Sequence, residues 1–258
     1  MAGVPALLLL GLPVLVLVLR GLASGSVLKA LTSPAVLDAL TLSAITTGIT
    51  VVIVLLLGLP LSLAMARGRL PGRIAVETIV DVPIVLPPSV AGLALLLVLG
   101  RSGVLGEPLA ALGLTLPFTT AAVIIAQFFV AAPFFIRSAR TGIAAVEREI
   151  EDAARVDGAA ERSVFRFVTA PLAAPALAAG LVMCWARALG EFGATIIFAG
   201  SIEGKTQTLP LLVYGDFNSS DLDSAIAAAV VLVLAAVVAL VLVRGLNWSR
   251  VLDTRAAA

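Results

Sequence analysis

Gly204-Lys205-Thr206 has the ending of a phosphate-binding loop, and a chain that held ATP there would be a motor. Such a loop cradles phosphates with backbone N–H groups and reads G-x-x-x-x-G-K-[ST]. The place five before Gly204 is Ala199, and Gly200 stands too near. No other stretch resembles a nucleotide site, so a turn-rich loop is the expectation. The second chemistry-bearing group is Arg187 with Glu191, in the otherwise apolar run RALGEFGATIIFAG. Spaced i, i+4 on a helix, the two share a face and can pair. An ionised side chain at the centre of a membrane helix costs about 2.5–3.5 kcal/mol on insertion scales, so the pair should face protein or water. Two roles stay open. The pair can border a translocation pathway or gate, where Arg187 favours a passing anion and Glu191 opposes it. It can also be a buried ion pair that holds helices together. Gly190 and Gly193 beside it allow close helix packing or a helix break.

Other chemistry is largely excluded. The chain has no histidine, the commonest general base and metal ligand. Its one cysteine, Cys184, lies in an apolar run and has no partner for an internal disulfide. No metal-ligand set or acid–base cluster is readable, so a membrane enzyme is disfavoured and this chain should bind no cofactor of its own. Thr41, Ser43, Thr46, Thr47 and Thr50 could line a polar path, although bonding back to their own helix is expected first.

The elements that must carry these residues are membrane helices. Of the 258 residues, 60% are hydrophobic and 13% charged, with a mean hydropathy of +1.14. Six segments approach the ~20 apolar residues that a crossing needs. They lie at about 2–19, 40–66, 79–99, 119–136, 175–197 and 224–243. The first also reads as a cleaved leader, because LASGS (22–26) offers small residues, but no cation precedes the apolar run. Pro87 and Pro88 should kink or break the third. With the N-terminus inside, Arg67, Arg69, Arg73, Arg137, Arg140, Arg148, Arg155, Arg162, Arg166, Arg244, Arg250 and Arg255 are cytoplasmic. Only Arg20, Lys29, Arg101 and Lys205 then face outward, as the positive-inside rule demands. The Gly204-Lys205-Thr206 loop is therefore external, where there is no ATP.

The longest charged connection, 137–174, lies on the cytoplasmic side between spans four and five. A helix is expected from Gly142 to Asp157, with Ile143, Val146, Ile150 and Ala153 or Ala154 as one apolar stripe. Gly158 should cap it. A second short helix is expected over 161–169, with Pro171 and Pro175 at the re-entry into the membrane. Glu147, Glu149, Glu151, Asp152, Asp157 and Arg155 would rim a small-residue corner of Ala153, Ala154, Gly158, Ala159 and Ala160. Acidic residues alternate with the arginines, so no basic stripe forms for nucleic acid.

This loop resembles the EAA loop of ABC importer permeases, E-A-A-x-x-x-G followed nine residues later by I-x-L-P. Here Asp152-Ala153-Ala154, Gly158 and Val168-Thr169-Ala170-Pro171 keep the spacing, with Glu151 as an alternative source of the carboxylate. ARALGEFGATIIFAGSIEGKTQTLPLLVY (186–214) and VLPPSVAGLALLLVLGRSGVLG (85–106) resemble molybdate permease subunits. Sulfate permeases share L-G-E-F-G, and tungstate permeases are similar. The resemblance implies an all-α integral membrane protein of six transmembrane helices, forming a single permease domain over 1–258. It implies a multi-pass subunit in the cytoplasmic membrane of a bacterium or archaeon, with both termini cytoplasmic, that carries molybdate, or alternatively sulfate or tungstate. Asp152, Ala153, Ala154, Gly158 and Pro171 would couple it to a separate ATPase, which uses ATP and Mg. The implied partners are a second permease copy in a homodimer, two ATPase subunits, an extracytoplasmic oxyanion-binding protein and the lipid bilayer. A secondary transporter is the rival of another class. It would need ion-binding residues within the spans, where Asp81 is the only further candidate, and usually internal repeats.

Overall fold

The structure is a computed structural model and describes residues 4–68 and 70–256. Ala2 and Gly3 of the expected first span, and Arg69, lie outside the described residues, as do the side chains of Ala239, Arg244, Arg250 and Arg255. Every element among the described residues is helical. In chain order they are α1 (Val4–Ala23), α2 (Ser26–Ala30), α3 (Pro34–Ala66), α4 (Arg73–Val85), α5 (Pro88–Leu99), α6 (Gly106–Ala111) and α7 (Thr120–Ala144). Then come α8 (Arg148–Val156), α9 (Glu161–Val164), a π-helical turn (Phe165–Thr169), α10 (Ala170–Leu189), α11 (Gly193–Phe198), α12 (Leu209–Asn218) and α13 (Leu222–Ala256).

Among the described residues, α1, α3, α7 and the continuous stretch Glu161–Leu189 are long and apolar enough to cross a membrane. The α4–α5 pair makes a fifth if counted as one broken span, and Leu222–Val238 is apolar but shorter. At 33 residues, α3 is about 50 Å long and overruns a ~30 Å hydrocarbon core. The expected third span is two helices bent by 119°. Each proline holds the residue before it extended: Leu86 has ψ 132° and Pro87 has ψ 137°. The fourth helix runs past its expected end at 136 to Ala144, and the fifth stops at Leu189 rather than 197.

The chain forms two compact units. Met1–Ile45 and Gly200–Ala258 make one, with a core of Ala30, Val36, Ala39, Leu209, Leu212, Ala227, Ala228 and Val231. Ser43 bonds beyond its own helix. Its hydroxyl accepts the Leu209 N–H at 2.9 Å, one of the orphan donors of α12's first turn. In the Gly204-Lys205-Thr206 loop the N–H groups of Lys205, Thr206 and Gln207 all turn to Ile202 O, at 2.8–3.1 Å. Thr206 is buried, accepting from Ile202 N and donating to Gly200 O. Those N–H groups point into their own loop and form no phosphate cradle.

Thr46–Ala199 make the other unit, built around α7. Thr119 caps α7 by accepting from Ala122 N at 3.2 Å. Val123, Ala126, Val130, Ala131 and Phe135 of α7 are buried. Ala131, Ala132, Phe135, Ile136 and Ala139 pack with Val54, Met65, Cys184 and Ala188 from α3 and α10. Ala122, Val123, Ala126 and Val130 pack with Ala91, Leu95, Ala194 and Phe198 from α5 and α11.

Candidate functional site

The expected single helix over 142–157 is two helices. Helix α7 ends at Ala144, and a turn closed by Val146 N–H to Ile143 O at 3.2 Å leads into α8. The proposed stripe therefore divides. Ile143 and Val146 are buried against Ala173, Leu59 and Leu63, whereas Ile150 is exposed. Val156 of α8 is 87% exposed.

Gly158 ends α8 as expected. Its φ is +87°, Ala159 N–H bonds Ala154 O and Gly158 N–H bonds Arg155 O, both at 3.0 Å. This is the paired closure that a left-handed residue after a helix permits. Asp152, Ala153, Gly158 and Pro171 are exposed and Ala154 is half-buried, so these five lie on an accessible surface. Asp152 is 67% exposed and pairs with Arg155 at 2.6 Å, and Arg155 also reaches Glu161 at 2.8 Å.

The neighbouring carboxylate behaves oppositely. Glu151 is 3% exposed and takes an ion pair from Arg67 and a 2.6 Å hydrogen bond from the Thr169 hydroxyl. Its other oxygen lies 3.6 Å from Arg155. The carboxylate at the pattern position, Asp152, is thus the one that faces outward, and Glu151 is turned inward. Glu151 was expected on the polar rim, or as a substitute for Asp152, and is instead buried, because Arg67 and Thr169, partners not foreseen from the sequence, draw it inward. A buried carboxylate needs such partners, but nothing local in the sequence identifies residues 84 and 18 positions away.

The expected helix at 161–169 does not stand apart. Helix α9 passes through the π turn straight into α10. Pro171 lacks an N–H, and its ring would clash with the carbonyl of Phe167 in an α-helix. The wider turn over Phe165–Thr169 accommodates that ring without ending the helix.

Arg187 and Glu191 do pair, with Arg187 Nη1 2.6 Å from Glu191 Oε2. They do not share one helix. Arg187 is in the last turn of α10, and Glu191 lies in the break before α11. Glu191 Oε1 accepts the Ala194 N–H at 2.8 Å and so caps α11. The Glu191 side chain is fully buried and that of Arg187 is 28% exposed, so the guanidinium carries the charge toward the accessible side. Thr195 is buried beside them, and its hydroxyl has no hydrogen-bond partner among the described residues. Gly193 does allow a close approach: a Cβ there would stand 2.6 Å from Pro88 Cβ. Gly190 lies at the break itself.

Gln127 on α7 was not singled out from the sequence. It is buried, its amide nitrogen donates to Thr46 at 3.2 Å and Thr47 at 3.5 Å, and its oxygen accepts from Thr50 at 3.0 Å. These threonines bond across to α7 rather than only to their own helix, and Thr41 is exposed. The cluster ties α3 to α7.

The model of the family described as binding-protein-dependent transport system inner membrane component matches residues 57–255. The chain is 41% identical over 193 residues to the molybdenum transport system permease protein ModB of Mycobacterium bovis, covering 74% of this chain and 72% of that one. It is 38% identical over 185 residues to the sulfate transport system permease protein CysW of Synechocystis, covering 72% and 67%. A solved structure of a bacterial ABC transporter that imports the acidic polysaccharide alginate aligns with a TM-score of 0.69 at 20% identity, covering 87% of this chain and 82% of that chain. That likeness is one of fold. A match of this extent, on a chain whose described elements are all helical and several of them of membrane length, settles the class: the chain belongs to the family of binding-protein-dependent transport system inner membrane components and is a membrane permease subunit.

Proposed function

We propose that this chain is the permease subunit of an ATP-driven importer that moves molybdate into the cell. The observation that carries the anion is the 41% identity to a molybdenum permease across three-quarters of the chain. In this reading a binding protein delivers the oxyanion to the outer loops. A homodimer of this chain encloses the path, and two ATPase subunits, which use ATP and Mg, sit beneath it. The exposed surface of Asp152, Ala153, Ala154, Gly158 and Pro171 docks on those ATPases. ATP binding draws together the two copies of the knob formed by α8, Gly158 and α9, and favours the outward-open state, a population shift driven by differential binding. Arg187 and Glu191 lie at the path or its gate, where a helix break already exists and one charge reaches the accessible side. Both termini are cytoplasmic, as the arginine distribution supports.

Sulfate is the second reading, supported by the 38% identity to a sulfate permease. The deciding experiment is molybdenum accumulation in a strain lacking this chain, at low molybdate, with and without excess sulfate or tungstate. Restoration by the wild-type chain with weak competition by sulfate supports molybdate. Unchanged molybdenum with failed growth on sulfate transfers the assignment to sulfate.

A further inference from the structure

We infer that Glu151 is a positioning residue that locks α8 to the membrane helices, so that force on the knob reaches α3 and α10 instead of being lost in a sliding contact. The inference rests on the proposed docking of α8 on an ATPase and adds the internal linkage that makes docking productive. Three elements converge on this one carboxylate. Arg67 is the first residue beyond α3, Glu151 is on α8, and Thr169 closes the π turn that opens into α10. Arg67 also donates to Val146 O at 3.5 Å, in the turn between α7 and α8. Glu151 is 3% exposed and Arg67 is 10% exposed.

Neither charge faces the outer surface of the knob, where Asp152 is exposed. The apolar cluster at the foot of the knob, Ile143, Val146 and Ala173, joins α7 and the turn before α8 to α10 and includes no side chain of α8, and such contact is in any case non-directional and can shear. An ion pair and a hydrogen bond sharing one buried oxygen have fixed directions and resist both pull and shear. Separating them would leave a buried charge alone, which is strongly disfavoured. The π turn places Thr169 on this carboxylate, so the re-entry distortion and the linkage are one device.

The test uses the whole importer, this chain with its ATPase and binding protein, in proteoliposomes with molybdate as the transported probe. The variants are Glu151→Gln, Thr169→Val, Thr169→Ser and the exchanged pair Arg67→Glu with Glu151→Arg. The expected result is full assembly in every case. Molybdate moved per ATP hydrolysed should fall roughly tenfold in Glu151→Gln, within the range by which connecting residues alter coupling. It should fall in Thr169→Val, hold in Thr169→Ser and return in part in the exchanged pair. Amide hydrogen exchange over 148–157 in the same complexes should quicken in Thr169→Val and not in Thr169→Ser. A wild-type ratio in Glu151→Gln overturns the proposal, as does loss of assembly in Glu151→Gln and Thr169→Val alike, which assigns the linkage to folding only. A wild-type importer that moves no molybdate overturns the substrate reading alone. Hydrogen exchange needs no substrate and then decides the linkage, with unchanged exchange in Thr169→Val overturning it.

Discussion

Glu191 does two things with one carboxylate: it caps α11 and it neutralises Arg187. Glu191→Gln keeps an acceptor for the Ala194 N–H and frees a guanidinium that is already part-exposed. Arg187→Met instead leaves a buried carboxylate alone, a loss of about 3–5 kcal/mol for a fully buried pair and less here because Arg187 reaches solvent. Thermal unfolding in detergent should rank Arg187→Met as clearly more damaging, and equal midpoints would count against this division of labour. At Gly158 the φ of +87° sets the limit, since a Cβ there meets no neighbour within 4 Å. A left-handed non-glycine residue costs about 1–2 kcal/mol, and Asn bears it best. Gly158→Asn should therefore retain most uptake, while Gly158→Glu inserts normally and loses ATP-driven uptake. Full uptake in Gly158→Glu would end the coupling assignment. In α12, burial and the nearby Asp221 charge raise the Asp216 carboxyl above its ordinary value. A raised carboxyl means that the folded state binds its proton more readily than the unfolded chain. Asp216 thus opposes folding at neutral pH, and the penalty fades as pH falls through its raised pKa. Asp216→Asn should raise the melting temperature at neutral pH, with the advantage shrinking toward acid pH.

At the scale of elements, two helix breaks meet. The α4–α5 break at Pro87 and Pro88 and the α10–α11 break at Gly190 bring α5 against α11, where Gly193 faces Pro88 and Gly92 faces Ala194 O. A Cβ on Gly92 would stand 2.8 Å from that carbonyl oxygen, which is backbone and cannot turn aside. Gly193→Leu or Gly92→Val should cost about 1–3 kcal/mol by overpacking. Each should lower the unfolding midpoint while leaving membrane insertion intact, because neither adds charge to an apolar run. A midpoint equal to wild type would show that the two short helices separate readily. The proline pair made the first break legible in advance. The second was foreshadowed by Gly190 and Gly193, but the capping by Glu191 was not, since an i, i+4 pair reads as continuous helix until the break is seen.

At the scale of the molecule, α1 buries only Gly21 among its described residues. Such a surface is suited to lipid or to other chains. Two differently tagged copies expressed together should co-purify if the permease is a homodimer. Recovery of one tag alone, with a different permease chain beside it, would make the pair heteromeric. Membership of a binding-protein-dependent family sets the secondary-transporter alternative aside.

Run length and charge placement determined the class, because a hydrocarbon core admits only long apolar helices and arginine counts are local properties of the chain. The spacing from Asp152 through Gly158 to Pro171 placed the knob for the same reason: helix caps and proline effects act over a few residues. The tertiary structure decided which carboxylate faces in. Glu151 and Asp152 are adjacent and chemically alike, and only the arrival of Arg67 and Thr169 from distant elements separates them. It decided likewise that Thr46, Thr47 and Thr50 close on Gln127. A buried polar group takes whichever partner the fold brings within reach, and that partner lies about 80 residues away here.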